Sequence, residues 1–367
     1  MTKKLFVVAV VGLIFSLAGS TPAKNAKPEQ PPQKVERSLA VDPQATVTLC
    51  VASGTLKVRG WEKSEVRVRS MGAAQVDFRR IDRVKDTTKP ATRVDVMIFD
   101  RAGMMNPRLD CQAFANVEMQ VPAGATVQVQ TRDGDITITG VAAAYAGSQN
   151  GDIDIERATK LVEAGSVGGS ISLRDSTGRI NLSSAGGGVD VVNVRAATSD
   201  DTFEVGTVSG DIQLDRVSNP KVMAKTVNGT VTMTGPLAKS GYYGFTNMTG
   251  DVVLALPSDA SFQLNAKVSE KHNIVSEFTL KYVEDPPQPP AARSPAGTPA
   301  PAASPATPGK VKPATKPGKP APVAGAVAIG GPTPVPYVLR RVNAVCGTGD
   351  ATIAVASFGG TVQLRKL

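Results

Sequence analysis

Two groups of carboxylates are the residues of this chain best suited to chemistry. Asp152, Asp154 and Glu156 form one, and Asp200, Asp201 and Glu204 the other. Carboxylates two apart on an extended segment share a face, and a pair of them is the core equipment for cleaving a glycosidic bond. Neither group is accompanied by the basic and aromatic side chains that line a sugar subsite. From 123 to 257 the aromatics are Tyr145, Phe203, Tyr242, Tyr243 and Phe245. Both clusters therefore read as solvated strand faces.

A second chemistry is suggested by aspartates that follow glycine, at Asp135, Asp152, Asp211, Asp251 and Asp350. Calcium-binding repeats carry such residues, but a row of cation sites needs one in every copy. Here Ser170, Arg179, Val189 and Thr230 occupy the equivalent place in other copies. The expectation is turn aspartates bonded to local backbone. The single histidine, His272, has no acidic or thiol partner at ligand spacing and reads as a surface residue. The chain contains no Gly-x-Ser-x-Gly, His-Glu-x-x-His or phosphate-binding loop. No catalytic, cofactor-binding or metal-binding residue is assigned, no cofactor is implied, and the chain is not expected to be an enzyme.

The elements that position these residues are repeats. A turn residue, Gly, a small polar residue and two aliphatics around one polar position recur as Asp133-Gly134-Asp135-Ile136-Thr137-Ile138 and Asn150-Gly151-Asp152-Ile153-Asp154-Ile155. Further copies are Gly168-Gly169-Ser170-Ile171-Ser172-Leu173 and Thr177-Gly178-Arg179-Ile180-Asn181-Leu182, with looser ones from Gly187, Ser209, Asn228 and Thr249. Strand, glycine corner, strand in a unit of roughly 18 to 22 residues is what one coil of a β-solenoid requires. The same phrases would also build antiparallel hairpins, for which Asn-Gly is a strong signal. Glycine at each corner suits a tight turn or a positive φ. In the solenoid reading Ile136, Ile138, Ile153, Ile155, Ile171 and Leu173 point inward, and Thr137, Asp154, Ser172 and Gln213 point outward.

The pattern sets the boundaries. Residues 1–20, with a cut as late as 23, read as a secretory signal: Lys3 and Lys4 precede an apolar run from Leu5 to Ala18. Residues 21–39 are a Pro- and Lys-rich disordered linker, and 40–122 a β-rich entry region in which Trp61 helps to close the core. Residues 123–284 are the solenoid repeats, 285–336 a Pro-, Ala- and Lys-rich disordered insertion, and 337–367 the terminal coils. Formal charge is +9, with much of the excess in the two proline-rich tracts. Arg293, Lys310, Lys312, Lys316 and Lys319 are candidate contacts to an anionic envelope surface. Nucleic acid is disfavoured as a partner, because no folded stripe interleaves basic and aromatic residues. Three cysteines in an exported chain allow one disulfide and one spare thiol. Cys50 and Cys111, both in strand-like stretches of the N-terminal half, are the favoured pair over either with Cys346.

The Gly-Asp-Ile-x-Ile copies, the signal pattern and the late Gly349-Asp350-Ala351-Thr352-Ile353 and Gly359-Gly360-Thr361-Val362-Gln363-Leu364 together resemble a bacterial family of adhesin-like exported β-strand-repeat domains of unknown function. The resemblance runs from roughly Val41 to Leu367 and is interrupted by the proline-rich insertion. It implies an all-β, single-stranded, parallel β-helix-like solenoid in the periplasm, envelope or secreted space, with no catalytic residues to carry over. The expected role is a noncatalytic envelope protein, an adhesin or interaction scaffold, whose partner is a surface polymer, a membrane surface or another protein. The alternative is a polysaccharide lyase or hydrolase built on a parallel β-helix.

Overall fold

The computed structural model describes residues 34–72, 75–82, 89–99, 111, 113–269, 273–283 and 339–367. The regular elements among them are β-strands. The entry region supplies β1 (Lys34–Ser53), β2 (Leu56–Trp61), β3 (Glu65–Met71), β4 (Gln75–Arg80), β5 (Ala91–Phe99) and β6 (Asn116–Pro122). Next come β7 (Thr126–Asp133), β8 (Ile136–Thr139), β9 (Ala143–Ser148), β10 (Ile153–Glu156), β11 (Leu161–Ser166), β12 (Ile171–Arg174), β13 (Arg179–Ser184) and β14 (Val189–Val194). They continue as β15 (Thr202–Ser209), β16 (Ile212–Val217), β17 (Lys221–Asn228), β18 (Val231–Thr234), β19 (Tyr242–Thr249) and β20 (Val252–Leu256). The last are β21 (Phe262–Ser269), β22 (Ile274–Ser276), β23 (Lys281–Val283), β24 (Leu339–Cys346), β25 (Ala351–Ser357) and β26 (Val362–Lys366).

In the middle of the chain odd and even strands separate into two faces. β7 to β19 pair in parallel down the odd face, and β8 to β20 down the even face. Each coil is thus an odd strand, a corner, an even strand and a second corner. β1 joins the faces: Lys34–Ala40 pairs with β3 on the even side and Thr46–Ser53 with β7 on the odd side. Parallel pairing excludes the hairpin alternative and makes this an all-β solenoid.

Register follows from the aliphatic pattern. Ile153 pairs with Ile136 and Ile171, and Ile155 with Ile138 and Leu173. All six are essentially buried, whereas Thr137, Asp154 and Ser172 form the outward row beside them. A one-residue slip would turn each aliphatic pair into water, so the register is strongly specified. Val127, Ala144, Val162, Ile180, Phe203 and Val222 line the core from the odd side. Two sequence copies are out of phase, and one of them, Gly349-Asp350, precedes β25, an odd-face strand paired with β19 and β21. Gly178 opens β13, an odd strand paired with β11 and β15, so Thr177-Gly178 lies at the other corner from Gly134, Gly151 and Gly169.

Both ends depart from chain order. The first coil, β1–β2, is not outermost: β5 and β6 lie outside it, pairing in parallel with β1 and β2, and antiparallel β4 and β3 follow. At the far end β25–β26 is wedged between β19–β20 and β21–β22, and antiparallel β24 and β23 follow β21. Residues 337–367 were expected to be the terminal coils; instead β25–β26 lies one coil in and β24 is a capping strand. Three-residue β22 and β23 form the rim at this end, and at the other end β4 and Lys34–Ala40 of β1 each pair on one edge.

Two other expectations change. Lys34–Leu39, assigned to the disordered linker, are strand, held by the β3 ladder. Trp61 does not close the core: it is half-buried outside it, with its Nε1 donating to the Glu65 carbonyl and Arg67 and Lys63 about its ring. The core instead continues to Phe278, which packs edge-on against Phe262 with ring centroids 5.5 Å apart. The signal pattern in 1–33, His272, and the insertion with Arg293, Lys310, Lys312, Lys316 and Lys319 lie outside the described residues.

Candidate functional site

The corner from odd to even strand explains why the repeat needs glycine. A Cβ on Gly151 would overlap the carbonyl oxygen of Gly134, one on Gly169 that of Gly151, and one on Gly187 that of Gly169. None of these three glycines has a positive φ. Close approach of one coil to the next, rather than a left-handed backbone, excludes a side chain here. Positive φ belongs chiefly to the opposite corner, where Arg157, Asp175, Asn193 and Arg216 adopt it despite carrying side chains.

A buried polar column runs beside the glycines. Ser148 Oγ donates to the Gly134 carbonyl and accepts the Gly151 N–H; Ser166 repeats this between Gly151 and Gly169, and Ser184 between Gly169 and Gly187. Thr207, Thr226 and Asn247 continue it by donating to Gly187, Gly210 and Gly229. Each hydroxyl bridges two coils, satisfying backbone groups that bend away from the ladder. The signal was legible as a Ser, Thr or Asn three residues before each corner glycine, but the sequence reading began at the residue next to glycine and missed it.

The aspartates after glycine form a second, outer column. Asp135 Oδ1 accepts the Asp152 N–H, Asp152 Oδ1 the Ser170 N–H, and Asp211 Oδ1 the Thr230 N–H. Asp251 Oδ1 accepts the Thr361 N–H at 2.8 Å, tying in the wedged coil. These bonds reach the next coil in the stack, not only the local turn. At Asp350 the N–H donates to Ser261 Oγ.

The two acidic clusters do not converge on a shared point. Asp152 belongs to the corner column, Asp154 projects from the even face, and Glu156 pairs with Arg157. Asp201 is buried in the loop before β15 and accepts the N–H groups of Ala197 and Thr198, while Asp200 is exposed. Among the described residues no three His, Cys, Asp or Glu side chains are grouped to hold a metal. Cys50, facing outward on β1, is disulfide-bonded to Cys111, with Cα atoms 4.7 Å apart. Cys346 is a buried free thiol whose pKa is raised by burial.

Charge is distributed unevenly. Glu36 bonds Arg69 and lies beside Arg67, Arg79 bonds Asp95, and Arg80 bonds Asp82. The Arg69 hydrogen bond holds the Glu36 carboxyl below its usual range, and Arg80 and the Thr92 N–H do the same for Asp82. Beside these clusters, the described residues present the outer rows of the two faces, such as Thr137, Asp154 and Ser172.

A two-faced parallel solenoid with glycine corners and hydroxyl bridges between coils defines the class. This chain belongs to the Toastrack DUF4097 family, whose model matches residues 46–271. The matched span ends before β24, β25 and β26. No curated protein matches the chain. A protein from Clostridium sporogenes, called a "putative cell adhesion protein", aligns over 91% of this chain and 100% of its own at 9% identity. The TM-score is 0.18, too low for that likeness to carry an argument.

Proposed function

We propose that the protein is an exported, noncatalytic scaffold of the cell envelope with an adhesin-like role, contacting its partner through the outer faces of the solenoid. The observation that carries this reading is the engagement of the repeat's polar residues. The buried hydroxyls and corner carboxylates bridge coils instead of converging on a reacting atom. What remains is a rigid, extended surface, the form taken by repeat proteins that bind along their length. The signal pattern supports export, and membership of a β-repeat family of unknown function is compatible with the role.

Pull-down from envelope fractions tests it. Retention of the protein on that material, unaffected by Asp152→Asn and Asp154→Asn, is expected. Recovery of nothing, or turnover of an envelope glycan that those substitutions abolish, would overturn it.

A further inference from the structure

From β17 to β23 the outer surface of the odd face carries cations and no acid. Lys221 and Lys225 flank inward Val222 and Ala224 on β17, and Lys267 follows inward Ala266 on β21. The pairing aligns these cations in two rows. Lys225 leads through Thr246 and Ala356 to Lys267 and then Arg341. Lys221 leads through Tyr242, Thr352, Gln263 and Val345 to Lys281. Four residues along a strand put the rows about 13 Å apart, and successive strands step about 4.8 Å along them. Between the rows run Met223, Gly244, Ala354, Asn265, Asn343 and Val283, with the Met223 side chain lying against Gly244.

All five cations are exposed, and among the described residues none has an ion pair. Among the described residues the ion pairs lie between Glu36 and Arg216. Two acids border this face: Glu204 of β15, beside Met223, and the exposed Asp350, two residues before Thr352. Described residues from 217 onward hold nine Lys and Arg against four acids, Asp251, Asp259, Glu277 and Asp350. Asp251 and Glu277 already accept backbone N–H groups.

We propose that this face binds a linear acidic polysaccharide laid along the stack between the two cation rows, a site and partner class that rest on the scaffold reading above. Like charges fixed on a rigid sheet repel one another, and a polyanion relieves that repulsion while gaining from each row. Tyr242, which is 41% exposed, offers a ring for a sugar to stack on, and the exposed Gln263 and Asn265 offer amides to its hydroxyls. Larger apolar side chains between the rows are confined to Met223 and, at the rim, the exposed Val283, with the polar Asn265 and Asn343 between them, a lining that suits a hydroxylated polymer better than acyl chains.

The test measures retention of the purified protein on polygalacturonate, neutral dextran, anionic phospholipid vesicles and isolated envelope material across a salt series. Binding to polygalacturonate and not dextran, weakened by salt, is expected. Lys225→Glu with Lys267→Glu should weaken it at least about tenfold with unchanged thermal unfolding, while Arg59→Glu on the even face has no effect. Replacing Arg293, Lys310, Lys312, Lys316 and Lys319 together by Gln should also leave it in place. Loss with that variant but not with the sheet variant overturns the inference, as does retention on vesicles without retention on polygalacturonate. Envelope binding without polygalacturonate binding refutes this site and leaves the scaffold reading standing; binding to neither refutes the scaffold reading itself.

Discussion

At the N-terminal end the coil of β1 and β2 is held between its neighbours by the Cys50–Cys111 disulfide, and the strands around it are laced by ion pairs of Glu36, Arg67, Arg69, Arg79 and Asp95. At the C-terminal end the coil of β25 and β26 occupies the corresponding wedged place without covalent or ionic ties among the described residues. Ser261 Oγ accepts the N–H groups of Thr348, Gly349 and Asp350, Asp251 accepts that of Thr361, Glu277 accepts that of Lys366, and Lys366 lies over the Phe278 ring, alongside the strand ladders and apolar packing. The same topological solution is thus secured by different chemistry. Ion pairs knit Arg67, Arg69 and Arg79 into a structural cap at one end, where Lys57, Arg59 and Arg93 stay exposed beside them, whereas no ion pair ties the described cations near the other end.

The strongest way to break this comparison is to evict the C-terminal coil alone. A Cβ at Gly360 would overlap the Gly250 carbonyl, so Gly360→Val should destabilise the C-terminal end by more than about 4 kcal/mol. Hydrogen exchange should then lose protection in β19 to β26 while β1 to β8 keep theirs; uniform loss would show that the ends are not independent. Next in size, Cys111→Ser should cost about 2–4 kcal/mol, read as early melting confined to β1–β6.

The buried hydroxyl column provides a smaller contrast. Ser184 bridges two coils, and Ser184→Ala leaves both backbone groups unpaired for about 1–3 kcal/mol in a denaturant titration. Thr131, at the N-terminal start of the column, has no partner for its buried Oγ1. Thr131→Val should therefore be neutral or stabilising by up to about 1 kcal/mol. Equal losses at the two sites would contradict the bridging role.

Acidification should give the smallest effect. The folded-state carboxyls of Glu36 and Asp82 lie below their usual range, first because of Arg69 and Arg80 respectively. Their contribution is present above the unfolded pKa and is lost as pH falls through the lowered folded value, below about pH 4. Glu36 is exposed, whereas the Asp82 side chain is covered in its contact with Arg80, so the signature is increased exchange in β1, β3 and around Thr92, with β21 to β26 unchanged.

Much of this was readable before any coordinates. Ile153 and Ile155 around Asp154 announce one buried and one wet face, since strand side chains alternate. Repetition of that phrase calls for stacking, because a single copy buries too little. The glycines were legible as corners, but the reason was not: a φ preference is local, whereas the obstruction at Gly151 comes from Gly134 in another coil. Trp61 misled for the same reason. A large aromatic favours burial, but here Arg67 and Lys63 provide an alternative at the surface.

The sequence by itself determined the period and the inward and outward rows, because these follow from side-chain alternation and from residues close together in the chain; that the copies stack in parallel rather than as hairpins is seen in the strand pairing. Tertiary structure alone decided the order of coils at both ends. β25 sits between β19 and β21, strands on the far side of the proline-rich insertion, so its place is a long-range pairing that no local pattern specifies. The two cation rows were decided in the same way. Lys225, Lys267 and Arg341 are far apart in the chain, and only the wedging of β25 between their strands lines them up.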